Sequence, residues 1–75
     1  MNKYVVESGL VKQSGIEEYD VLGIFSNYKD ADEYALCKSE LYDDKYIRVG
    51  EVSEEDLTVH GDWASYNQID ILNEY

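Results

Sequence analysis

Residues 19–42 read Tyr-Asp-Val-Leu-Gly-Ile-Phe-Ser-Asn-Tyr-Lys-Asp-Ala-Asp-Glu-Tyr-Ala-Leu-Cys-Lys-Ser-Glu-Leu-Tyr, and the change of period inside this stretch decides the fold. Tyr19 to Ser26 is rich in β-branched and aromatic residues, which favours a strand. In strict alternation Tyr19, Val21, Gly23 and Phe25 share one face, and Leu22 and Ile24 share the other. Apolar residues on both faces predict an inner strand. From Asp30 to Tyr42 the period becomes helical. Ala31, Tyr34, Ala35, Leu41 and Tyr42 fall on one side of a 3.6-residue wheel. Asp32, Ser39, Glu40 and Asp43 fall on the other, with Leu36 stranded among them as an exposed apolar residue. Asn27 or Ser26 is placed to cap the helix. Asp30, Asp32 and Glu33 occupy its first turn, where the helix dipole favours anions. Ala31 and Ala35, one turn apart, let the helix axis lie close to a sheet.

Upstream, Lys3-Tyr-Val-Val-Glu7 predicts a first strand, with Tyr4 and Val6 on one face and Val5 and Glu7 on the other. The strand resumes at Leu10-Val11 after Ser8-Gly9, and Gln13-Ser14-Gly15 marks a turn into the second strand. These two strands form an antiparallel hairpin. Downstream, Asp43-Asp44 ends the helix and residues 45–52 alternate as a third strand. Ser53-Glu54-Glu55-Asp56 has capping-box spacing and suits one helical turn. Leu57 to Val59 suits a short strand, and His60-Gly61-Asp62 a turn. In residues 63–75, Ser65 and Gln68 allow a helix from Tyr66. Ile69, Ile71 and Leu72 share no helical face, however, so an edge strand is preferred. The predicted fold is one α+β domain spanning residues 1–75: β-β-α-β with a short C-terminal extension, three to four antiparallel strands packed against one helix.

Tyr4-Val5-Val6, Gly23-Ile24-Phe25-Ser26 and Asp30-Ala31 with Ala35 resemble pieces of a group of short domains found in phage and bacterial genomes. The resemblance covers residues 1–50. It implies a β-β-α-β fold and no particular activity, and it assigns no functional residue.

Seventeen acidic and six basic residues in 75 give a formal charge of −11. Such a chain repels nucleic-acid phosphates and anionic lipid, because binding either requires Lys and Arg to displace counterions. The six cations are scattered and form no basic stripe. Basic protein surfaces remain as charged partners. The single Cys37 cannot close an internal disulfide, the start of the chain lacks the apolar run of a signal peptide, and no apolar stretch approaches the length of a membrane span. The sequence thus predicts a cytoplasmic protein (host cytoplasm, if phage-encoded) that does not engage a membrane.

Catalytic signatures are sparse. His60 reads as an exposed turn residue. Cys37, at the edge of the helix stripe, reads as a small hydrophobe, and the pair of them carries no motif. Zinc would need more Cys or His, and Asp30-Ala31-Asp32 opens a calcium-loop pattern that runs into helix. No cofactor, metal or enzymatic activity is expected. The charge and the tyrosines carry the functional reading. Asp32, Glu33, Glu40, Asp43 and Asp44, with Glu54, Glu55 and Asp56, form a candidate acidic face. Tyr28, Leu36 and Trp63 are candidate apolar anchors, Tyr being well suited to interfaces. Tyr66 and Tyr75 join Tyr28 as tyrosines expected at the surface, whereas Tyr34 and Tyr42 are expected in the core. Trp63 suits a cap on a thin core equally well.

These features predict a small acidic protein-binding inhibitor that occupies a basic, nucleic-acid-binding surface of a host protein, as an anti-defence or DNA-mimic protein would. Two other readings stand beside it. The acids also serve plain solvation. A homo-oligomeric scaffold or small-ligand module would pair an edge strand between two chains, with Leu36 buried at a symmetric contact.

Overall fold

The computed structural model describes residues 2–12, 15–42, 45–61 and 63–75. Their order is β1 (Asn2–Lys12), β2 (Gly15–Phe25), α1 (Tyr28–Leu41), β3 (Lys45–Ser53), β4 (Thr58–His60), β5 (Trp63–Ser65) and β6 (Asp70–Glu74). Strands β2-β1-β3-β6 form one sheet, antiparallel throughout, and β4-β5 form a separate two-stranded ribbon. The α+β architecture, with one helix on a four-stranded sheet, is the one the sequence predicts. The turn read at Gln13-Ser14 and the helix end read at Asp43-Asp44 lie outside the described residues.

The helix begins where its cap demands. Asn27 is extended, and its side-chain oxygen accepts from the Asp30 backbone N–H at 2.9 Å, supplying a partner the first turn otherwise lacks. Ala31 and Ala35 are fully buried against Val6, Ile47 and Val49. Tyr4, Leu22, Phe25, Tyr34, Tyr42 and Tyr75 pack around this centre. Two methyl-sized residues at the contact bring helix and sheet backbones together, and larger rings close the perimeter. Leu41 departs from the wheel. It is 70% exposed at the last turn, where the chain leaves helical geometry at Tyr42.

The second strand corrects the strict alternation. Phe25 and Gly23 pair with Tyr4 and Val6, but Val21 pairs with Glu7, so Leu22 is an extra residue in a bulge. One inserted residue inverts the phase. Leu22 and Phe25 therefore both reach the helix-side core, while Val21 and Tyr19 register with Glu7 and Gly9 on the opposite face. Nor is β2 an inner strand: it forms one edge of the sheet, and β1 and β3 are the inner pair. Its apolar residues on both faces are explained by cover rather than by position, since the β4-β5 ribbon packs against it.

The face away from the helix is covered as well. Val5 and Val52 are buried there, and Ile69 lies so close to Gly50 that a Cβ on Gly50 would stand 2.4 Å from its side chain. The segment joining β5 to β6 thus straps the back of the sheet. The chain enters β4 through a turn in which the Asp56 and Leu57 N–H groups both donate to the Ser53 carbonyl, at 3.0 and 3.1 Å. Gly61 turns the ribbon with φ +72°, a left-handed conformation that a side chain would strain. The last segment is extended, and β6 is an edge strand paired with β3.

Candidate protein-binding surface

The eight candidate acids divide by what holds them. Asp32, expected on the outer helix face, is half-buried. Its Oδ1 accepts from the Tyr75 hydroxyl in a short hydrogen bond, from Asn73 Nδ2 at 3.2 Å and from the Tyr28 hydroxyl at 3.3 Å. The Tyr75 hydroxyl above all holds its carboxyl below the ordinary value of 3.8, outweighing burial, with Asn73 and Tyr28 lowering it further. Tyr75 is correspondingly pushed up to about 12, chiefly by donating to Asp32. Asp32 therefore latches α1 to the C-terminal residues. The wheel misplaced it because the wheel knows nothing of β6, which arrives beside the helix from far along the chain.

Asp56 is likewise engaged. It accepts from the backbone N–H groups of Gln68 and Asn67 at 3.1 and 2.8 Å and from Asn67 Nδ2 at 2.9 Å, and the two backbone donors above all lower its pKa. Glu33, Glu40, Glu54 and Glu55 are exposed. Asp43 and Asp44 lie outside the described residues. Of the six described candidates the structure leaves Glu33, Glu40, Glu54 and Glu55 at the surface and ties Asp32 and Asp56 to donors from elsewhere in the chain. One acidic grouping lies outside the sequence reading: Glu51 and Asp70 join Asp56 around a cleft of about 400 Å³ lined also by Asn2, Ser53 and Asn67. Glu51 and Asp70 are ladder partners across β3 and β6, a neighbourhood only sheet pairing creates.

The apolar candidates are all at the surface. Leu36 is 48% exposed. Tyr28 keeps part of its ring in solvent while its edge meets Tyr4, with ring centroids 6.1 Å apart. Trp63 is 59% exposed and so does not cap the core. It stacks on His60, centroids 3.9 Å apart and planes 12° from parallel, and His60 Nε2 hydrogen-bonds Ser65 Oγ at 3.0 Å. Tyr66 and Tyr75, expected at the surface, are instead partly buried, while Tyr34 and Tyr42 pack on the core as expected. Cys37, expected as a small buried hydrophobe, is exposed on α1, and His60 lies on the ribbon. The helix turns the thiol outward because Ala31 and Ala35 already fill its close contact with the sheet.

A second feature lay beyond sequence reading. Glu7 is 3% exposed on the back of the sheet, opposite Arg48 in the β1-β3 ladder. Arg48 Nε donates to Glu7 Oε1 at 3.1 Å, and its guanidinium lies 3.6 Å from the Tyr19 ring centroid. The Tyr66 hydroxyl also bonds Glu7; burial first, then that bond, raises its pKa. Alternation that puts Glu7 on an inner strand facing away from the helix was the available signal. What it lacked was any sign that the back face would be covered.

Among the described residues no group of three or more His, Cys, Asp or Glu is arranged to hold a metal ion, and no helix is long and apolar enough to cross a membrane. No family model matches the chain, and neither curated proteins nor solved structures give a significant match.

Proposed function

We propose that this is a small acidic binding protein that acts in the cytoplasm by occupying a basic surface of another protein, of the kind that otherwise holds nucleic acid. The carrying observation is how charge is sorted between inside and outside. Arg48 is folded into the Glu7–Tyr19–Tyr66 cluster, and Lys38 lies over the Tyr34 and Tyr42 rings at 5.3 and 5.9 Å. Glu33, Glu40, Glu54, Glu55, Asp70 and Glu74 stand at the surface. Arg48 and Glu7 cancel each other, and the remaining carboxylates outnumber the remaining cations by 11, so the outward field is strongly negative. Such a field steers a cationic partner and repels nucleic acid.

The test is competition. A nucleic-acid-binding partner captured at low salt is titrated with duplex DNA and with this protein. The two are expected to exclude each other, and affinity for the protein to fall steeply with added salt as steering is screened. Simultaneous binding of both, or an affinity indifferent to salt, overturns the reading.

A second reading, a homo-oligomer or small-ligand module, is favoured by the open edge of β6, where Ile71 and Leu72 are exposed, and by the cleft beside it. Light scattering behind size exclusion separates the two, because a stable dimer through β6 would support the second.

A further inference from the structure

The β4-β5 ribbon holds the one Trp and the one His of the chain in a parallel stack. His60 covers one side of the Trp63 indole and is itself tied to Ser65 across the ribbon. The indole is therefore oriented by its neighbours while most of its surface remains in water. Beside it an open groove of about 210 Å³ runs between the ribbon and β2, lined by Val21, Ile24, Val59, Trp63 and Ala64 among others. Among the described residues, no Lys, Arg, Asp or Glu lines that groove.

An aromatic face held in place beside a narrow apolar trough suits a side chain with a flat head and an aliphatic stem. The charge of −11 selects the sign of the head. Indole is the strongest cation–π acceptor among side chains, and a guanidinium, planar and weakly hydrated, stacks on it where an ammonium prefers water or a carboxylate. The protein already uses the same contact internally, with Arg48 over the Tyr19 ring.

We propose that the ribbon is an arginine-docking site. The exposed part of the Trp63 indole takes a guanidinium of the basic partner, and the stem of that arginine lies along Val59 and the β2 side chains. The inference rests on the binding function proposed above and gives that surface its anchor. The anionic field brings the partner in, and Trp63 then distinguishes arginine from lysine.

The test uses hexa-arginine and hexalysine, equal in charge, titrated into the whole protein at low salt by calorimetry. Trp63 emission is followed in parallel as the signal of the sole tryptophan. Both peptides are expected to bind through the anionic surface. Hexa-arginine should bind about threefold to fivefold more tightly, the worth of one exposed cation–π contact, and should shift Trp63 emission. Trp63→Ala and Trp63→Leu should each abolish that preference, bringing hexa-arginine affinity to that of hexalysine for the same variant; the leucine keeps apolar bulk at the position without a π face. Equal affinities with unmoved emission, or an arginine preference that survives both substitutions, overturns the docking site and leaves the acidic-surface reading standing. If neither peptide binds, both fall.

Discussion

Glu7 and Arg48 face each other across the two inner strands, and Arg48 Nε meets Glu7 Oε1 at 3.1 Å with the Glu7 side chain only 4% exposed. A carboxylate this far from water is tolerated because its charge is matched and its oxygens are bonded. Arg48→Ala removes the match and leaves the anion behind. We expect a loss of about 2–4 kcal/mol, read as a lower urea midpoint with an unchanged slope. Replacing both residues by Met is expected to recover much of that loss. A single substitution without effect would show that the pair is solvated in solution.

Asp32 and Asp56 make stability depend on pH in a defined direction. Both carboxyls are held below 3.8 in the folded chain. Their contribution is therefore fully present above the unfolded value and is lost as pH falls through the lowered folded values. Urea midpoints measured from pH 6 to pH 2 should drop below about pH 4. Asp32→Asn and Asp56→Asn should each be less stable than the parent at neutral pH and lose less on acidification. Parallel curves for parent and variants would remove these carboxylates from the acid response.

At the alkaline end the sign reverses. Tyr75 is raised to about 12 by its hydrogen bond to Asp32, and Tyr66 is raised by burial and Glu7. Each favours the folded state at neutral pH, an advantage lost as pH climbs through the folded values. Absorbance titration of phenolate should show a component at the top of the range that diminishes in Tyr75→Phe and Tyr66→Phe. Asp32→Asn should bring the Tyr75 component down.

Gly50 tests the strap across the back of the sheet. A methyl there would stand 2.4 Å from Ile69 Cδ1 and Cγ1 and 3.2 Å from the Asp70 carbonyl. Gly50→Ala is expected to cost about 1–3 kcal/mol, typical of overpacking, and to raise hydrogen exchange in the segment before β6. Ile69→Ala in the same chain should relieve part of that penalty. Equal stability of Gly50→Ala and parent would mean that the strap is loosely seated.

Asp56 organises the other end of that segment. Asp56→Ala removes the acceptor for the Asn67 and Gln68 N–H groups. Their amide protons should exchange markedly faster, while those of Val6 and Val49 in the inner ladder keep their protection. Uniform acceleration across the sheet would instead mark Asp56 as a global support.

What was legible in the sequence is local. Asn27 caps the helix three residues before the amide it accepts, and Ala31 and Ala35 recur at one turn, so the start and buried face of α1 follow from near neighbours. Alternation placed Val6 and Val5 on opposite faces, and composition alone set the excess of anions. Tertiary structure decided the rest. The bulge at Leu22 shifts the phase of β2 by one residue, a slip that costs no local propensity and shows only in pairing with β1. Glu7 finds Arg48 across 41 residues, and Asp32 finds Tyr75 across 43. Neither pairing leaves a trace in periodicity, because each depends on where the chain returns rather than on the residues beside it. That is why acids alike in the sequence divide into structural latches, such as Asp32 and Asp56, and surface charges, such as Glu33 and Glu40: burial and hydrogen-bond donors from distant strands, not residue type, set the role of each carboxylate.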